Sequence, residues 1–242
     1  MAPVTVDVVL LLPDGMRERA CSLSRSLAAR MANQGSPSHF RLGDPYPGLS
    51  GGVCEPHFSL FMLRIDDTEI GPVLDAVAAV AKSGVPVTAE ADAYRHNPVG
   101  APELHFHRSA GWAALQQAVV AAIEPLRRGR LRDVDPAGVN IEGTIARLTA
   151  TRPDSAELRQ LLAYGYDEIV DERDDRFSPH LTLAWPVDAD FRVDLDGLPA
   201  PESFNEVLCE LAVFGMTPCG TCTRDYESRP LLGTFGEPSL PV

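Results

Sequence analysis

Two short stretches of the sequence are near-copies of each other: Pro56-His57-Phe58-Ser59-Leu60 and Pro179-His180-Leu181-Thr182-Leu183. Each consists of proline, histidine, an apolar residue, a hydroxyl residue and leucine, and each opens an apolar run typical of a strand. On a strand, residues two apart project from the same face, so each histidine shares a face with its hydroxyl residue. We therefore expect the intervening Phe58 and Leu181 to face the opposite packing layer.

The first half of the chain alternates between strand and helix. Apolar and β-branched residues predict buried strands over residues 4–12 and 57–65. Apolar residues at three- to four-residue spacing predict helices over about 16–35, 69–81 and 110–126. Two further strand-like runs, 87–94 and 103–107, flank turn residues and predict a hairpin.

The second half repeats this order loosely. A run at 144–150 is followed by a helix opened by the capping pattern Asp154-Ser155-Ala156-Glu157, then by a strand from His180 and a final pair near 207–214 and 221–227. The repeat is incomplete, because residues 188–203 are rich in proline, glycine and aspartate where the first half has a helix. The acidic run 167–175 predicts a solvated loop.

Composition limits the classes of protein that fit. The chain has 242 residues, 45% hydrophobic and 23% charged, which suits one large domain or two small lobes around a real core. Its 21 basic and 34 acidic residues give a net charge of -13. Such a surface repels a phosphate backbone, so long nucleic acid is a disfavoured partner. A small phosphate compound in a local positive pocket remains compatible with this charge.

The sequence also predicts where the protein works. The longest apolar stretch near the N-terminus, residues 8–12, is far shorter than the ~18 residues that span a bilayer, and no basic segment precedes it. Five cysteines are an odd number in a chain too long for a disulfide miniprotein, which suits a reducing compartment. We expect a cytoplasmic protein without membrane contact.

The two histidine pairs predict a reaction if their strands lie side by side. One neutral imidazole would remove a proton from an attacking water, and the other, protonated, would deliver a proton to the leaving oxygen of a phosphodiester. Ser59 and Thr182 would donate hydrogen bonds to the phosphoryl oxygens, and no metal or other cofactor is needed. Either motif alone is typical of a satisfied core histidine, whereas two copies in matching halves favour a site.

With these motifs the sequence resembles the 2H phosphoesterases, a family named for two His-x-Ser/Thr motifs on strands of a duplicated α+β fold. RNA 2′,5′-ligase-like proteins and cyclic nucleotide phosphodiesterases belong to it. The resemblance spans roughly residues 4–235, with His57 and Ser59 matching the first motif and His180 and Thr182 the second. It implies one bilobal domain over 1–242, in which two antiparallel-rich sheets form a central cleft and helices pack outside.

The resemblance also implies a metal-independent mechanism with paired histidines, acting on substrates that often carry a 2′,3′-cyclic or 2′,5′-linked phosphate. The two histidines are 180 minus 57, or 123, residues apart, which is long for the simpler members. We expect the extra length between residues 127 and 175, as a lid or a substrate-specific insertion.

Weaker candidates surround this pair. Tyr226, His105 and Arg64 are candidate substrate-binding residues, since similar family members place an aromatic residue near the phosphate and arginine can neutralise a second phosphate. His105 and His107 could instead join the motif histidines around a metal, but no carboxylates stand at telling spacing, so we predict no metal. The pair Cys219 and Cys222 stands alone and is typical of loop cysteines.

The sequence therefore predicts a phosphodiesterase acting on a small nucleotide-like substrate, with His57 and His180 as the acid/base pair. Two other functions stay open. The fold could hold a phosphorylated ligand without turnover, or a biosynthetic enzyme could use the histidine pair on another metabolite. Which histidine is the base stays open too, because pseudo-symmetric motifs do not distinguish the roles.

Overall fold

The computed structural model describes residues 3–233. Within them the chain forms nine strands and five α-helices. The strands are β1 (Pro3–Leu11), β2 (His57–Asp66), β3 (Val87–Ala89), β4 (Ala91–His96), β5 (Pro102–Phe106), β6 (His180–Thr182), β7 (Glu206–Leu208), β8 (Glu210–Thr217) and β9 (Thr221–Pro230). The helices are α1 (Asp14–Asn33), α2 (Ile70–Ser83), α3 (Ala110–Arg127), α4 (Ile141–Thr151) and α5 (Ala156–Tyr164). The last residues of the predicted domain, 234–242, lie outside the described part.

A four-stranded antiparallel sheet with the order β2-β1-β8-β9 forms the first lobe. Its strand β1 is buried on both faces, as the sequence predicts, and Val6, Val8, Val9 and Leu10 are all fully buried. Helices α2 and α3 pack against each other, α3 also contacts β2, and α2 contacts β8 and β9. The first histidine motif thus opens an edge strand of this sheet.

A three-stranded antiparallel sheet with the order β4-β5-β6 forms the second lobe, and β3 pairs with β7 beside it. The second histidine motif lies on β6, also an edge strand. The edge strands β2 and β6 belong to different sheets and contact each other. The chain therefore places its two histidine motifs side by side where the lobes meet.

A shared apolar layer holds the two lobes together behind the motifs. Phe58 of β2 packs edge-on against Phe106 of β5, with ring centroids 4.8 Å apart, and against Trp112 of α3 at 5.1 Å. Phe58 and Leu181 are each 1% exposed, whereas the histidine and hydroxyl residues of both motifs are half-buried. The predicted alternation of faces is confirmed in both copies.

A β-bulge in β2 follows the first motif. The register moves from Val8 opposite Phe61 to Val9 opposite Ser59, so Leu60 is the extra residue. The extra residue shifts the alternation of side chains by one position. As a result Met62, three residues after Ser59, faces the same side as Ser59. Gln116 of α3 donates from Nε2 to the carbonyl of Leu60 at 3.0 Å and so supports the backbone at this point.

Several predicted elements differ from the structure. The strand predicted at 87–94 is divided into β3 and β4, and the run 144–150 is helical within α4. The cap of α5 is Ser155, whose hydroxyl accepts from the amide of Leu158, and not Asp154. No helix forms over 188–203 apart from a single 3-10 turn that begins at Pro201, as the composition predicts.

The prediction of a solvated loop over the acidic run 167–175 is wrong at its beginning. Ile169 is buried, and Gln116 accepts from the amide of Val170 and donates to the carbonyl of Glu168. These hydrogen bonds hold the backbone at the start of the acidic run against helix α3. Within residues 3–233, the helices lack the combined length and apolarity that a membrane crossing requires.

Candidate active site

The two motif histidines are held by the same local contact. His57 Nδ1 donates to the carbonyl oxygen of Glu55 at 2.7 Å, and His180 Nδ1 donates to the carbonyl oxygen of Ser178 at 2.9 Å. In each case the acceptor lies two residues before the histidine. A hydrogen on Nδ1 leaves the lone pair of the neutral ring on Nε2, so both rings present the same nitrogen for proton transfer.

Both motifs line one cavity of about 690 Å³ between the lobes. His57, Ser59, His180 and Thr182 all contribute to its wall, and His105 does so as well. The volume lies in the range of ~300–1,000 Å³ typical of small-molecule sites. The structure thus brings together the four residues singled out from the motifs and one of the weaker candidates.

Behind His57 and Ser59 lies Asp7, which the sequence analysis passed over. Ser59 Oγ donates to Asp7 Oδ2 at 2.6 Å, and His57 Nε2 lies 3.9 Å from the same oxygen. Asp7 is fully buried, and its Oδ1 has no hydrogen-bond partner in the described chain. Burial raises the pKa of Asp7 to about 7, against the lowering effect of the Ser59 hydrogen bond. Its signal was present in the sequence, as a charge within an otherwise apolar strand.

Around His180 the corresponding carboxylate is Glu103, on the neighbouring strand β5. Glu103 Oε1 lies 3.9 Å from His180 Nε2, while Oε2 accepts from His105 Nε2 at 3.1 Å. The rings of His105 and His180 stack with centroids 5.6 Å apart. Burial alone would raise the pKa of Glu103, but His180, His105 and Asn97 outweigh it, so its pKa is lowered. Glu103 therefore carries its charge beside His180.

The two motif histidines have opposite pKa shifts. Burial lowers the pKa of His57, and its hydrogen bond to the Glu55 carbonyl only partly offsets this. Burial also acts to lower the pKa of His180, but Glu103 and Glu168 more than offset it, so that pKa is raised. At any given pH, His57 thus loses its proton more readily than His180, and His180 retains its proton more strongly. The sequence left these states open, because they depend on carboxylates from other elements.

The two hydroxyl residues also differ in their surroundings. The Ser59 hydroxyl is directed at Asp7, whereas within residues 3–233 the side chain of Thr182 makes no hydrogen bond. Thr182 is therefore free to donate into the cavity. Ser59 can do so only when a protonated Asp7 donates to it, which its raised pKa permits near neutral pH.

Three of the weaker candidates lie away from the cavity. Arg64 is turned to the far end of β2, where it forms an ion pair with Asp133. Tyr226 packs against Gly215, and the guanidinium of Arg224 lies 4.6 Å from the centre of its ring. His107 is exposed, with Nε2 3.9 Å from a carboxylate oxygen of Asp92. A position near a motif strand did not ensure a position in the site: Arg64, for example, lies five residues beyond Ser59, toward the opposite end of β2 from the first motif.

Cys222 is a buried strand residue and not the loop cysteine expected. Its Sγ lies 3.5 Å from His57 Nε2, and the ligand atoms of Asp7, His57 and Cys222 all lie within 4.8 Å of one another, a spacing a metal ion could use. Burial and the charge of Asp7 raise the pKa of the Cys222 thiol well above its usual range. Metals bind the thiolate, so Cys222 would have to lose its proton before it could act as a ligand, and the absence of a metal stays a prediction.

Comparisons with known proteins bear on the fold. No protein-family model matches the sequence, and none of the curated proteins matches it by sequence. Among solved structures, the chain is similar to one described as a phosphoesterase, with 13% identity over 94% of this chain and 98% of that one and a TM-score of 0.50. It is also similar to E. coli LigT complexed with 3′-AMP, with 13% identity over 95% of this chain and 99% of that one and a TM-score of 0.50.

These similarities define the class of fold. LigT is a 2H phosphoesterase, and the match covers nearly the whole of both chains. The chain therefore has the α+β fold of the 2H phosphoesterases, with antiparallel sheets meeting at a cleft, and the fold that the two motifs implied is confirmed. At this level of identity the comparison concerns the fold, and the chemistry must be argued from the site.

Proposed function

We propose that this protein is a metal-independent phosphodiesterase that cleaves a cyclic or 2′,5′-type phosphodiester in a small nucleotide-like molecule. The observation that carries the proposal is the convergence of His57 and His180 on one cavity with opposite pKa shifts. General acid–base catalysis of this kind needs one neutral and one protonated imidazole at the same pH. Paired groups whose environments separate their pKa values are typical of acid and base roles.

In the proposed reaction His57 is the base and His180 is the acid. His57 Nε2 takes a proton from water while the water oxygen forms a bond to phosphorus. The bond from phosphorus to the leaving oxygen breaks, and His180 Nε2 gives its proton to that oxygen. One water is consumed, and the product carries a phosphate monoester when the substrate is cyclic. The Nδ1 hydrogen bonds to Glu55 and Ser178 keep both Nε2 atoms directed at the reactants.

Thr182 and Ser59 would stabilise the phosphoryl group during this step. Donors aimed at oxygens on which charge develops are typically among the largest contributions to catalysis. Thr182 is free to donate, and Ser59 donates when Asp7 is protonated and turns its own hydrogen toward the serine. The proposal thus gives the buried Asp7 a role in orienting Ser59.

Substrate size and charge support a small nucleotide. The cavity accommodates a ligand of that size, and a structural neighbour was crystallised with 3′-AMP. The net charge of -13 opposes the approach of a long phosphate backbone. The expectation of a cytoplasmic location remains a prediction from cysteine usage.

The other two functions remain as alternatives. A module that holds a phosphorylated ligand without turnover needs no acid–base polarity, so the opposite pKa shifts favour an enzyme. A biosynthetic enzyme could use the same histidines on another metabolite. Glu168 and Asp167 in the cavity wall could accept hydrogen bonds from donor groups of such a substrate.

The test is an assay of the purified protein, in EDTA, on 2′,3′-cyclic mononucleotides and on 2′,5′- and 3′,5′-linked dinucleotides, with products identified by mass and isomer. We expect hydrolysis that persists in chelator and is lost in His57→Ala. His107→Ala is the matched control, since His107 is exposed and outside the cavity, and it should retain full activity. Absence of turnover with tight product binding would favour the binding module, and loss of activity in EDTA would contradict the metal-independent mechanism.

A further inference from the structure

Arg132 is a buried charge that the proposed reaction does not use. It lies in the segment between α3 and α4, within the predicted insertion, and is only 3% exposed. Removing a guanidinium from water is costly unless a partner of opposite charge or several hydrogen bonds replace the water. A buried arginine therefore calls for a partner.

Within residues 3–233, the contacts of Arg132 are weak for a buried cation. Its Nη1 donates to Met62 Sδ at 3.2 Å, its guanidinium carbon lies 5.4 Å from the centre of the Tyr166 ring, and its Nε has no partner. A thioether is a weak acceptor, and an aromatic face attracts a cation only modestly. No ion pair of Arg132 forms within 4.0 Å in the described chain.

Arg127 shows how a buried arginine is normally accommodated in this protein. It is 4% exposed, yet its guanidinium donates to the carboxylate of Glu124 and to the carbonyl oxygens of Arg130 and Ala163, all at 2.8–2.9 Å. The Nε of Arg127 also lacks a partner in the described part of the chain, but of these two equally buried arginines only Arg132 lacks oxygen acceptors there for its terminal nitrogens. The difference is that Arg132 lines the cavity shared by the two histidines.

Most carboxylates in the cavity wall already have other partners. Asp167 pairs with Arg176 and Glu157 with Arg152, while Glu168 accepts from the hydroxyl of Tyr166. The remaining two are Glu103, which holds the histidines of β5 and β6, and Asp135, which accepts from the amide of Val139. Asp7 and Asp167 act on Arg132 only at longer range. The guanidinium is thus left to bind an anion from the cavity.

The position of Arg132 separates it from the reacting phosphoryl group. Its neighbour Met62 follows Ser59 along β2 by three residues, one of which is taken up by the bulge. At ~3.3 Å per residue this places Met62 roughly 7–10 Å beyond the hydroxyl of the first motif. An anion on Arg132 would therefore lie beside the reaction centre and not at it.

We propose that Arg132 binds a second phosphate of the substrate, so that the preferred substrate is a phosphodiester that also carries a phosphate monoester. The proposal rests on the proposed function and adds the substrate class. A guanidinium binds phosphate through two parallel hydrogen bonds and stays charged at all physiological pH values. The bound phosphate would supply the negative charge and the acceptors that Arg132 lacks in the free protein.

The kinetic test compares adenosine 2′,3′-cyclic phosphate with the same compound carrying a 5′-phosphate. Loss of charge-assisted hydrogen bonds in Arg132→Gln should raise KM for the 5′-phosphorylated substrate about 10- to 100-fold. The KM for the substrate without that phosphate should stay unchanged, and Arg132→Lys should lie between. Equal losses for both substrates would overturn the proposal, since they would place Arg132 at the reacting phosphate or in a purely structural role.

A binding measurement separates this proposal from the proposed function. Calorimetry compares adenosine 3′,5′-bisphosphate with 3′-AMP and needs no turnover. We expect the wild-type protein to bind the bisphosphate more tightly, and Arg132→Gln to lose that preference. Arg173→Gln removes the same charge from an exposed position and should keep it. A wild-type protein without the preference would overturn the role of Arg132, whereas a preference without hydrolysis would overturn only the phosphodiesterase.

Discussion

At the scale of single residues, Asp7 is a fully buried carboxyl group whose charged form destabilises the fold. Burial raises its pKa from 3.8 to about 7, so the folded state holds a proton that the unfolded state releases at lower pH. The stability that depends on this proton is complete below pH 3.8 and is lost as pH rises toward 7. At neutral pH and above, the ionised carboxylate lies buried with one oxygen unpaired.

Asp7→Asn should therefore stabilise the protein in a pH-dependent way. The amide stays neutral and can still accept from Ser59, so its advantage over the wild type should grow between pH 4 and pH 7 and then level off. A shift of about 3 pKa units corresponds to a gain on the order of 4 kcal/mol at pH 8. Denaturant unfolding of both proteins at pH 4.5 and pH 8 measures it. A difference that does not change with pH would contradict the account.

At the scale of elements, the pairing of β5 with β6 sets the properties of His180. In this register His105 lies opposite His180 and Glu103 lies opposite Thr182. The carboxylate of Glu103 is thereby fixed beside the histidine that we propose as the acid. The pKa of His180 is therefore raised by groups outside the motif, first by Glu103 through this strand pairing and next by Glu168.

Glu103→Gln should move one limb of the pH profile and leave the other. Without the carboxylate the pKa of His180 falls, so the alkaline limb of kcat/KM, where the acid loses its proton, should shift to lower pH. The acidic limb belongs to His57 and serves as the internal control. A pH–rate profile of the two proteins decides this, and a shift of the acidic limb instead would reverse the assigned roles.

Gln116 of α3 connects two elements that form the cavity wall. Its side chain contacts the carbonyl of Leu60 at the bulge of β2, the carbonyl of Glu168 and the amide of Val170. Gln116→Leu keeps the volume and leaves all three backbone groups buried without this partner. The free energy of unfolding should fall by about 3 kcal/mol or more.

Denaturant unfolding measures this loss, and the neighbouring Gln117→Leu is the matched control. Gln117 is exposed, so its substitution should change stability by less than about 0.5 kcal/mol. A Gln116→Leu protein as stable as the control would show that the contact does not hold the acidic segment in place.

The sequence was informative about elements and about part of the site. The motif residues and most strands follow from periodicity, which is a local property, and β2 and α3 lie within two residues of their predicted bounds. The partners of the histidines could not be predicted in this way. Asp7 and Glu103 reach the site through strand pairing between distant segments, and Arg64 lies outside it because it is five residues beyond Ser59 along β2, where it pairs with Asp133.

At the scale of the whole molecule, the charge distribution should exclude long nucleic acid. The net charge of -13 repels a polymer, while a small anion needs only the local charges of the cavity. We therefore expect a single-stranded RNA of about 20 nucleotides to compete poorly with a mononucleotide substrate. A competition assay at low and physiological salt measures this. Strong inhibition that weakens steeply with salt would contradict the prediction.

The central claim is that the two lobes bring His57 and His180 together as one catalytic unit. Groups that act in the same step show losses that are far from additive. The most direct measurement is kcat/KM, on one substrate in EDTA, for His57→Ala, His180→Ala and the double variant. We predict that each single variant loses about 10²- to 10⁴-fold and that the double variant loses little more than the worse of the two. Losses that multiply, or near-normal activity in either single variant, would contradict the account.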